Sequence, residues 1–358
     1  RNVIINLLSV ILIFTLVKKP DDVWLYVILT SLSTMVGNLS LWFYLPKYLT
    51  KIDRRELRPI RHVVPALKLF VPTIATSVYT MLDKTLIGLM IKDTYVVDET
   101  KIINGIKTVV SVTKKVSDLE NGYYEQAEKI VKMCIAIISS LGTIMIPRNS
   151  SLYAKGKKDE LEHNFYFSTE YVWVLGLPMM FGLAAVSPNI IPWFLGEGYE
   201  KCILLMQLFT PLVLFIGFSN VFGLQYLVPT KRDKKFTIGI LSGTIVNLIL
   251  NLILIPFFWS VGAVIASLVA EFSVTAVMFF LIRKEISLKK ILLQGIKPLV
   301  AGLCMFLSVY LTQVFLPAKW YFTILLVIEG AFIYFLLLLI LRDSFLLSIL
   351  GKLWKKKS

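Results

Sequence analysis

The chain has 358 residues, of which 56% are hydrophobic and only 17% charged, and a mean hydropathy of +0.74; an ordinary soluble domain is roughly 25% charged. Such a composition excludes a soluble globular enzyme or a water-borne binding domain. The net charge of +15 would suit a nucleic-acid surface, but the basic residues are interleaved with long apolar runs and form no single stripe, so nucleic acid is excluded as a partner.

A membrane-spanning helix needs about 20 mainly apolar residues. The first runs are 3–17 and 23–45. The first is short and the chain begins with Arg1 instead of Met, so earlier helices are expected to be absent. The loop 46–64 then carries Lys47, Lys51, Arg54, Arg55, Arg58 and Arg61 together with Pro46 and Pro59, and reads as a linker between two lobes. Six further runs cover 65–91, 123–146, 169–194, 202–228, 236–257 and 260–283, and a last pair covers 293–316 and 319–341. The expected fold is therefore an all-α integral membrane protein of about ten transmembrane helices. Between the spans 65–91 and 123–146 lies one long polar loop, Lys92 to Asn121, whose stretch from Ile102 to Val116 reads as a short amphipathic helix or as disordered.

Loop by loop, the basic residues alternate in number, with 25 on one side and 9 on the other. Cytoplasmic loops are enriched in Lys and Arg, so the side holding the 46–64 loop and both termini is expected to be cytoplasmic. An even number of spans agrees with this. Cys134, Cys202 and Cys304 are isolated and odd in number, without metal-ligand spacing, and read as small packing residues.

Ionisable side chains inside a span cost roughly 2.5–3.5 kcal/mol each on insertion scales and tend to face a cavity. Thr73, Thr76, Ser77, Thr80, Asp83 and Lys84 fall on one helical face of the 65–91 run. The hydroxyl residues suit close helix packing equally well, whereas Asp83 and Lys84 read as a cavity-facing pair. At the start of the next span, Glu125 with Lys129 and Glu128 with Lys132 stand at i, i+4 in the favourable order, which also suits a solvated first turn. Glu271 and Glu329 are lone acids in mid-span; each is a candidate for ion coupling, or a hydrogen-bonded acid kept neutral by burial. Prolines interrupt or border several spans, as in the broken helices of transporters. His62 and His163 lie in basic loops, and no phosphate-cradling glycine loop, nucleophile motif or metal cluster is present in the sequence. No catalytic residue, metal or cofactor is expected, and the chain does not read as an enzyme.

Four stretches resemble the Wzx-type flippases of bacterial capsule and O-antigen repeat units, which share a superfamily with the lipid II flippase and the multidrug and toxin extrusion antiporters. These are LKLFVPTIATSVYTMLDKTLIGL from Leu67, NGYYEQAEKIVKM from Asn121, SLGTIMIPR from Ser140 and the run from Leu241 to Phe272. The resemblance implies a plan of fourteen helices in two six-helix lobes plus a terminal pair, with the cavity between the lobes. This chain looks like helices five to fourteen: 1–60 as the remnant of the first lobe with its linker, 61–285 as the second lobe, and 286–358 as the terminal pair and basic tail. The loop from Lys92 to Asn121 is longer than the family pattern.

The resemblance further implies an undecaprenyl-pyrophosphate-linked oligosaccharide, moved from the inner to the outer leaflet of the bacterial cell membrane by alternating access, with membrane lipids and a polysaccharide polymerase as partners. On the matching positions, Lys84 and Arg148 are the cations assigned to the substrate cavity. Asp83 and Glu125 would tune or couple, Lys129 is a further cation, and Tyr79 beside Thr80 would stack on sugar. A cation-coupled drug antiporter of the same superfamily would want an acidic cavity, while the candidates here are mixed or basic. A membrane polymerase or glycosyltransferase would need a large external catalytic loop or a cytoplasmic acid pair; Asp21 and Asp22 are adjacent acids, but the charge bias puts them outside.

Overall fold

The computed structural model describes residues 2–19, 22–47, 63, 70, 74, 77, 81–103 and 106–355. They fall into two units, Arg1–Pro65 and Ala66–Ser358. In the first unit α1 (Asn2–Leu16) packs on α2 (Val23–Leu39), which runs on into a 3-10 turn, Ser40–Lys47, that contains Pro46. The link between the two helices is tied by Asp22, whose Oδ2 accepts the N–H groups of Lys18 (3.1 Å) and Lys19 (3.0 Å). Most of the apolar residues of both helices are exposed, as expected where lipid is the solvent.

The second unit begins, among its continuously described residues, with α3 (81–90). A β-hairpin follows, β1 (Thr94–Ile103) paired antiparallel with β2 (Ile106–Lys115) from Thr94↔Lys115 to Ile103↔Ile106. Neither reading of the stretch Ile102 to Val116 survives, because nearly all of it is strand. The reason lies in composition: Val, Ile and Thr dominate both runs, β-branched residues favour strands, and Asn104-Gly105 between them is a strong signal for a two-residue hairpin turn.

The helices that follow are α4 (Val116–Ala154), α5 (Lys158–Phe194), α6 (Lys201–Phe209), α7 (Leu212–Phe222) with a π-helical turn at Gly223–Leu227, α8 (Asp233–Ile282), α9 (Leu288–Val314), α10 (Trp320–Ile340) and α11 (Ser344–Lys355). Among the described residues, seven helical segments are long and apolar enough to cross a membrane, and α1 is a shorter apolar helix. α8 alone holds two of the expected spans. Fifty residues of straight helix would measure roughly 75 Å, far beyond a hydrocarbon core of about 30 Å, and the chain turns back at Trp259, which has φ 53° and ψ −128°. Its two halves pack tightly because Gly243 lets them approach; a Cβ there would collide with Val274 and press on the carbonyl of Ala270. The expected span 202–228 is likewise broken, with Pro211 between α6 and α7, where its missing N–H costs nothing at a helix start.

One core cluster joins α3 to α8 through Ile87, Tyr124, Phe165, Phe209, Val274 and Met278. A second joins α5, α9, α10 and α11 through residues such as Val174, Met305, Tyr334 and Phe345. The outward faces remain apolar, as on Leu248, Ile249, Leu252 and Ile253 of α8.

Candidate functional site

Asp83 and Lys84 are neighbours on α3, so their side chains leave the helix about 100° apart and reach different partners. Asp83 is 2% exposed. Its Oδ2 accepts the hydroxyls of Tyr124 on α4 (2.5 Å) and Ser267 on the second half of α8. Its Oδ1 accepts the amides of Asn247 (3.0 Å) and Asn251 (2.6 Å), one turn apart on the first half of α8. Asn251 also donates to Asn247 Oδ1 (3.0 Å), and its own Oδ1 is buried without a hydrogen-bond partner. The carboxyl group is thus held in a cage of four neutral donors at the point where α3 meets α4 and the two halves of α8. Burial of such a group demands hydrogen bonds on both oxygens, and the fold supplies them.

Lys84 reaches glutamates of α4 instead of Asp83. Its Nζ lies 3.3 Å from Glu128 and 3.9 Å from Glu125. The two i, i+4 pairs on α4 are both present, Lys129–Glu125 at 2.9 Å and Lys132–Glu128 at 2.8 Å. Lys84, Glu125, Glu128, Lys129 and Lys132 therefore form one charge ladder across α3 and α4, with three cations to two anions. Ladder and cage meet at a small cavity of about 60 Å³, bordered by Asp83, Tyr124, Glu128, Lys132, Ser267 and Glu271. That volume holds a few water molecules. Glu271 is buried on the second half of α8.

The other expected residues are placed elsewhere. Arg148 is exposed near the far end of α4, roughly 24 Å along the helix axis beyond Lys132, so the structure does not bring it to the ladder. Glu329 on α10 accepts the hydroxyls of Ser308 (2.8 Å) and Thr312 (3.0 Å) from α9; it ties the last pair of helices together. Tyr79 and Thr80 lie outside the described residues, as does most of the 46–64 loop.

The four donors of the cage and one further acid were not singled out for the site in the sequence reading. Asn247 and Asn251 stand four apart in a long apolar run, a spacing that marks one polar face inside lipid. Tyr124 was visible only as part of a polar helix start. Glu120, 2% exposed, lies one turn before Tyr124 on the same buried face. Both of its oxygens accept from Lys201 Nζ at 2.7 Å, and Ser260 donates to it through its N–H (3.3 Å) and hydroxyl. Lys201 also lies 5.2 Å from the ring centroid of Trp259. Glu120 therefore pins the starts of α4 and α6 to the turn inside α8, at the end of the bundle from which the hairpin projects.

A buried polar cage inside a bundle of broken, apolar helices defines a multi-pass membrane protein, and its fold is similar to that of a solved flippase. The structure of the lipid II flippase MurJ in its inward closed conformation matches with a TM-score of 0.64 and 18% identity, over 90% of this chain and 64% of that one. Residues 100–204 match a family described as polysaccharide biosynthesis protein. A relative named "Putative O-antigen transporter" from Shigella dysenteriae is 25% identical over 280 residues, 78% of this chain and 63% of its own length. A protein of the same name from Escherichia coli (strain K12) is 29% identical over 91 residues, 25% of this chain and 22% of its own. The chain spans less than two-thirds of the length of these relatives. The resemblance to the Wzx-type polysaccharide flippases is borne out by family match, relatives and fold together.

Proposed function

We propose that this protein exports surface-polysaccharide repeat units as lipid-linked oligosaccharides, carried on undecaprenyl pyrophosphate and moved from the inner to the outer leaflet by alternating access between two lobes. The observation that carries the reading is the ladder built on Lys84. Its three cations against two anions sit on membrane helices, where a fixed positive excess is costly unless it faces water or an anionic cargo. A pyrophosphate head is such a cargo, and Lys84 holds it by charge and hydrogen bonding while Glu125 and Glu128 keep the site from binding too tightly to release. Asp83 serves as the coupling group: its cage offers a carboxylate, two amide oxygens and two hydroxyls beside a water-sized cavity, so its occupancy responds to a proton or a small cation. Glu271, on the same cavity, is the second candidate for that role. The curated relatives named as O-antigen transporters and the MurJ-like fold support the same reading.

The same cage would also serve a cation-coupled multidrug antiporter, since Asp83 and Glu271 set acids beside the ladder's cations; the relatives named as O-antigen transporters favour the export reading. The test is complementation of a flippase-deficient bacterium with the protein expressed from its complete gene. Surface polysaccharide should return with the wild type, fall to background with Lys84→Ala, and return in part with Lys84→Arg, which keeps charge but alters geometry. Full export by Lys84→Ala at matched membrane level would remove the ladder from the transport route.

A further inference from the structure

The first turns of α9 carry a second basic cluster that the transport reading does not use. Lys290, Gln294 and Lys297 are spaced four and three apart and so share one helical face. That face meets α5 and the start of α11. Lys290 Nζ lies 3.6 Å from the centroid of the Tyr166 ring. Gln294 accepts the Thr169 hydroxyl (2.8 Å) and donates to the Tyr166 carbonyl (3.1 Å), and Lys297 donates to the Arg342 carbonyl (2.9 Å). Lys289, Lys290 and Lys297 border a recess of about 470 Å³ together with Ser287, Leu293 and Ser344.

Two acids also border it, and both are already engaged. Asp343 is 2% exposed and accepts the N–H groups of Phe345 and Leu346, each at 3.1 Å, at the start of α11. Glu170 accepts the Ser344 hydroxyl at 2.6 Å. Three ammonium groups against two carboxylates leave the recess with one net positive charge, attractive to an anion. An adjoining recess of about 500 Å³ shares Glu170, Lys290, Gln294 and Ser344 and adds the acids Asp159 and Glu162, which would accept hydrogen bonds from hydroxyl groups.

The flank of the recess is apolar. Leu292, Leu293 and Ile296 are 53%, 54% and 52% exposed, and on a membrane helix such a face meets acyl chains. α11 lies beside it, anchored by Phe345 against the rings of Phe167 (5.2 Å) and Tyr171 (6.4 Å). Leu347 and Ile349 stay exposed, and the sequence runs on to Lys352, Lys355, Lys356 and Lys357. A short helix with exposed apolar residues and a basic end lies in the layer between headgroups and acyl chains.

We infer that this recess binds the phosphate of an anionic bilayer phospholipid of the phosphatidylglycerol type. The phosphate sits among Lys289, Lys290 and Lys297, the glycerol hydroxyls reach the acids of the adjoining recess, and the acyl chains follow the Leu292–Ile296 face of α9. Basic recesses between membrane helices beside an interfacial helix recognise lipid headgroups in this way. A zwitterionic lipid of the phosphatidylcholine type has no net charge to match the excess of the three lysines and no hydroxyl group to donate to the acids of the adjoining recess, and binds less well. The inference stands apart from the transport reading, and its test involves no transport.

The protein is purified from membranes holding equal phosphatidylglycerol and phosphatidylcholine, and its retained lipids are counted by native mass spectrometry. The wild type should favour phosphatidylglycerol at least tenfold, the combined Lys289→Gln, Lys290→Gln and Lys297→Gln variant should lose that preference, and the corresponding arginine variant should keep it. Lys231→Gln with Lys234→Gln, basic residues outside the recess, should change nothing. Absence of a preference in the wild type, or its survival in the glutamine variant, would overturn the proposal. Should the glutamine variant fail to fold, a headgroup-photoactivatable phosphatidylglycerol decides on the wild type alone: labelling of the peptides spanning 289–297 or 344–349 supports the site, and labelling confined elsewhere overturns it. Excess inorganic phosphate should leave the retained lipid in place; displacement by it would reassign the recess to a soluble phosphate ligand.

Discussion

Asp83 accepts four buried hydrogen bonds from four different side chains, and each of those donors would lose a partner in the interior if the carboxyl group were removed. An unsatisfied buried donor costs roughly 1–3 kcal/mol, but Asn247, Asn251 and Ser267 lie close enough to satisfy one another in part. Asp83→Leu is therefore expected to destabilise the protein by about 3 kcal/mol, read as a lower unfolding temperature in detergent. Asp83→Asn keeps the shape and half the acceptors, so it should fold and yet lose any dependence of transport on an imposed proton or sodium gradient. A gradient response equal to that of the wild type would take the coupling role away from this residue. Asp83 and Lys84 were legible in the sequence because charge inside an apolar run is conspicuous. Their partners were not, since which side chain of α4 or α8 lies opposite depends on how helices distant in sequence pack. Glu120 was hidden differently: placed in a polar loop, it is in fact one turn before Tyr124 in the same helical register.

The elements show the same division between local and distant information. Apolar runs of membrane-spanning length marked α2, α4, α5, α9 and α10 directly, because lipid demands that length. The hairpin 94–115 was missed although Asn104-Gly105 and its β-branched flanks were in view, a case of weighing charge above strand chemistry. In α8 the two expected spans are present, and their ends are clamped. Arg232 Nη1 lies 2.6 Å from Glu285 Oε1, and Tyr226 donates to Glu285 Oε2 at 2.8 Å. Burial pushes the Glu285 carboxyl up, but the hydrogen bonds from Arg232 and Tyr226 outweigh it and hold the group below the usual carboxylate range. Because the folded value is the lower one, the stabilisation is present above the unfolded value of about 4.3 and is lost as pH falls through the folded value. The pair is partly exposed, so the effect is about 1 kcal/mol at most. Unfolding temperature measured against pH should fall more steeply below pH ~4 for the wild type than for Glu285→Gln; parallel curves would show that the clamp contributes nothing.

At the scale of the whole molecule, the described contacts sort the loops into two ends. Glu120, Lys201 and Ser260 meet at one, and Arg232 meets Glu285 at the other. The basic residues divide 25 to 9 between the corresponding loops, so the first end, with the hairpin, is expected outside the cell and both termini inside. Single cysteines in the hairpin should react with an impermeant reagent on intact cells, while cysteines at Arg54 or Arg58 should not; the reverse pattern would invert the molecule. That orientation would set the energetics of the proposed export. A pyrophosphate head carries about two negative charges, and each gains roughly 2.3 kcal/mol per 100 mV on moving outward across an inside-negative membrane. The account's central claim is that the ladder on α3 and α4 carries this head, and the most direct measurement is the leaflet exchange of a fluorescent undecaprenyl-pyrophosphate oligosaccharide in proteoliposomes, followed by quenching from one side. Wild-type protein expressed from its complete gene should exchange the lipid, faster under an imposed potential, and Lys84→Ala at equal incorporation should slow exchange at least tenfold. Exchange by Lys84→Ala at the wild-type rate, or no exchange by the wild type above protein-free vesicles, would contradict the account.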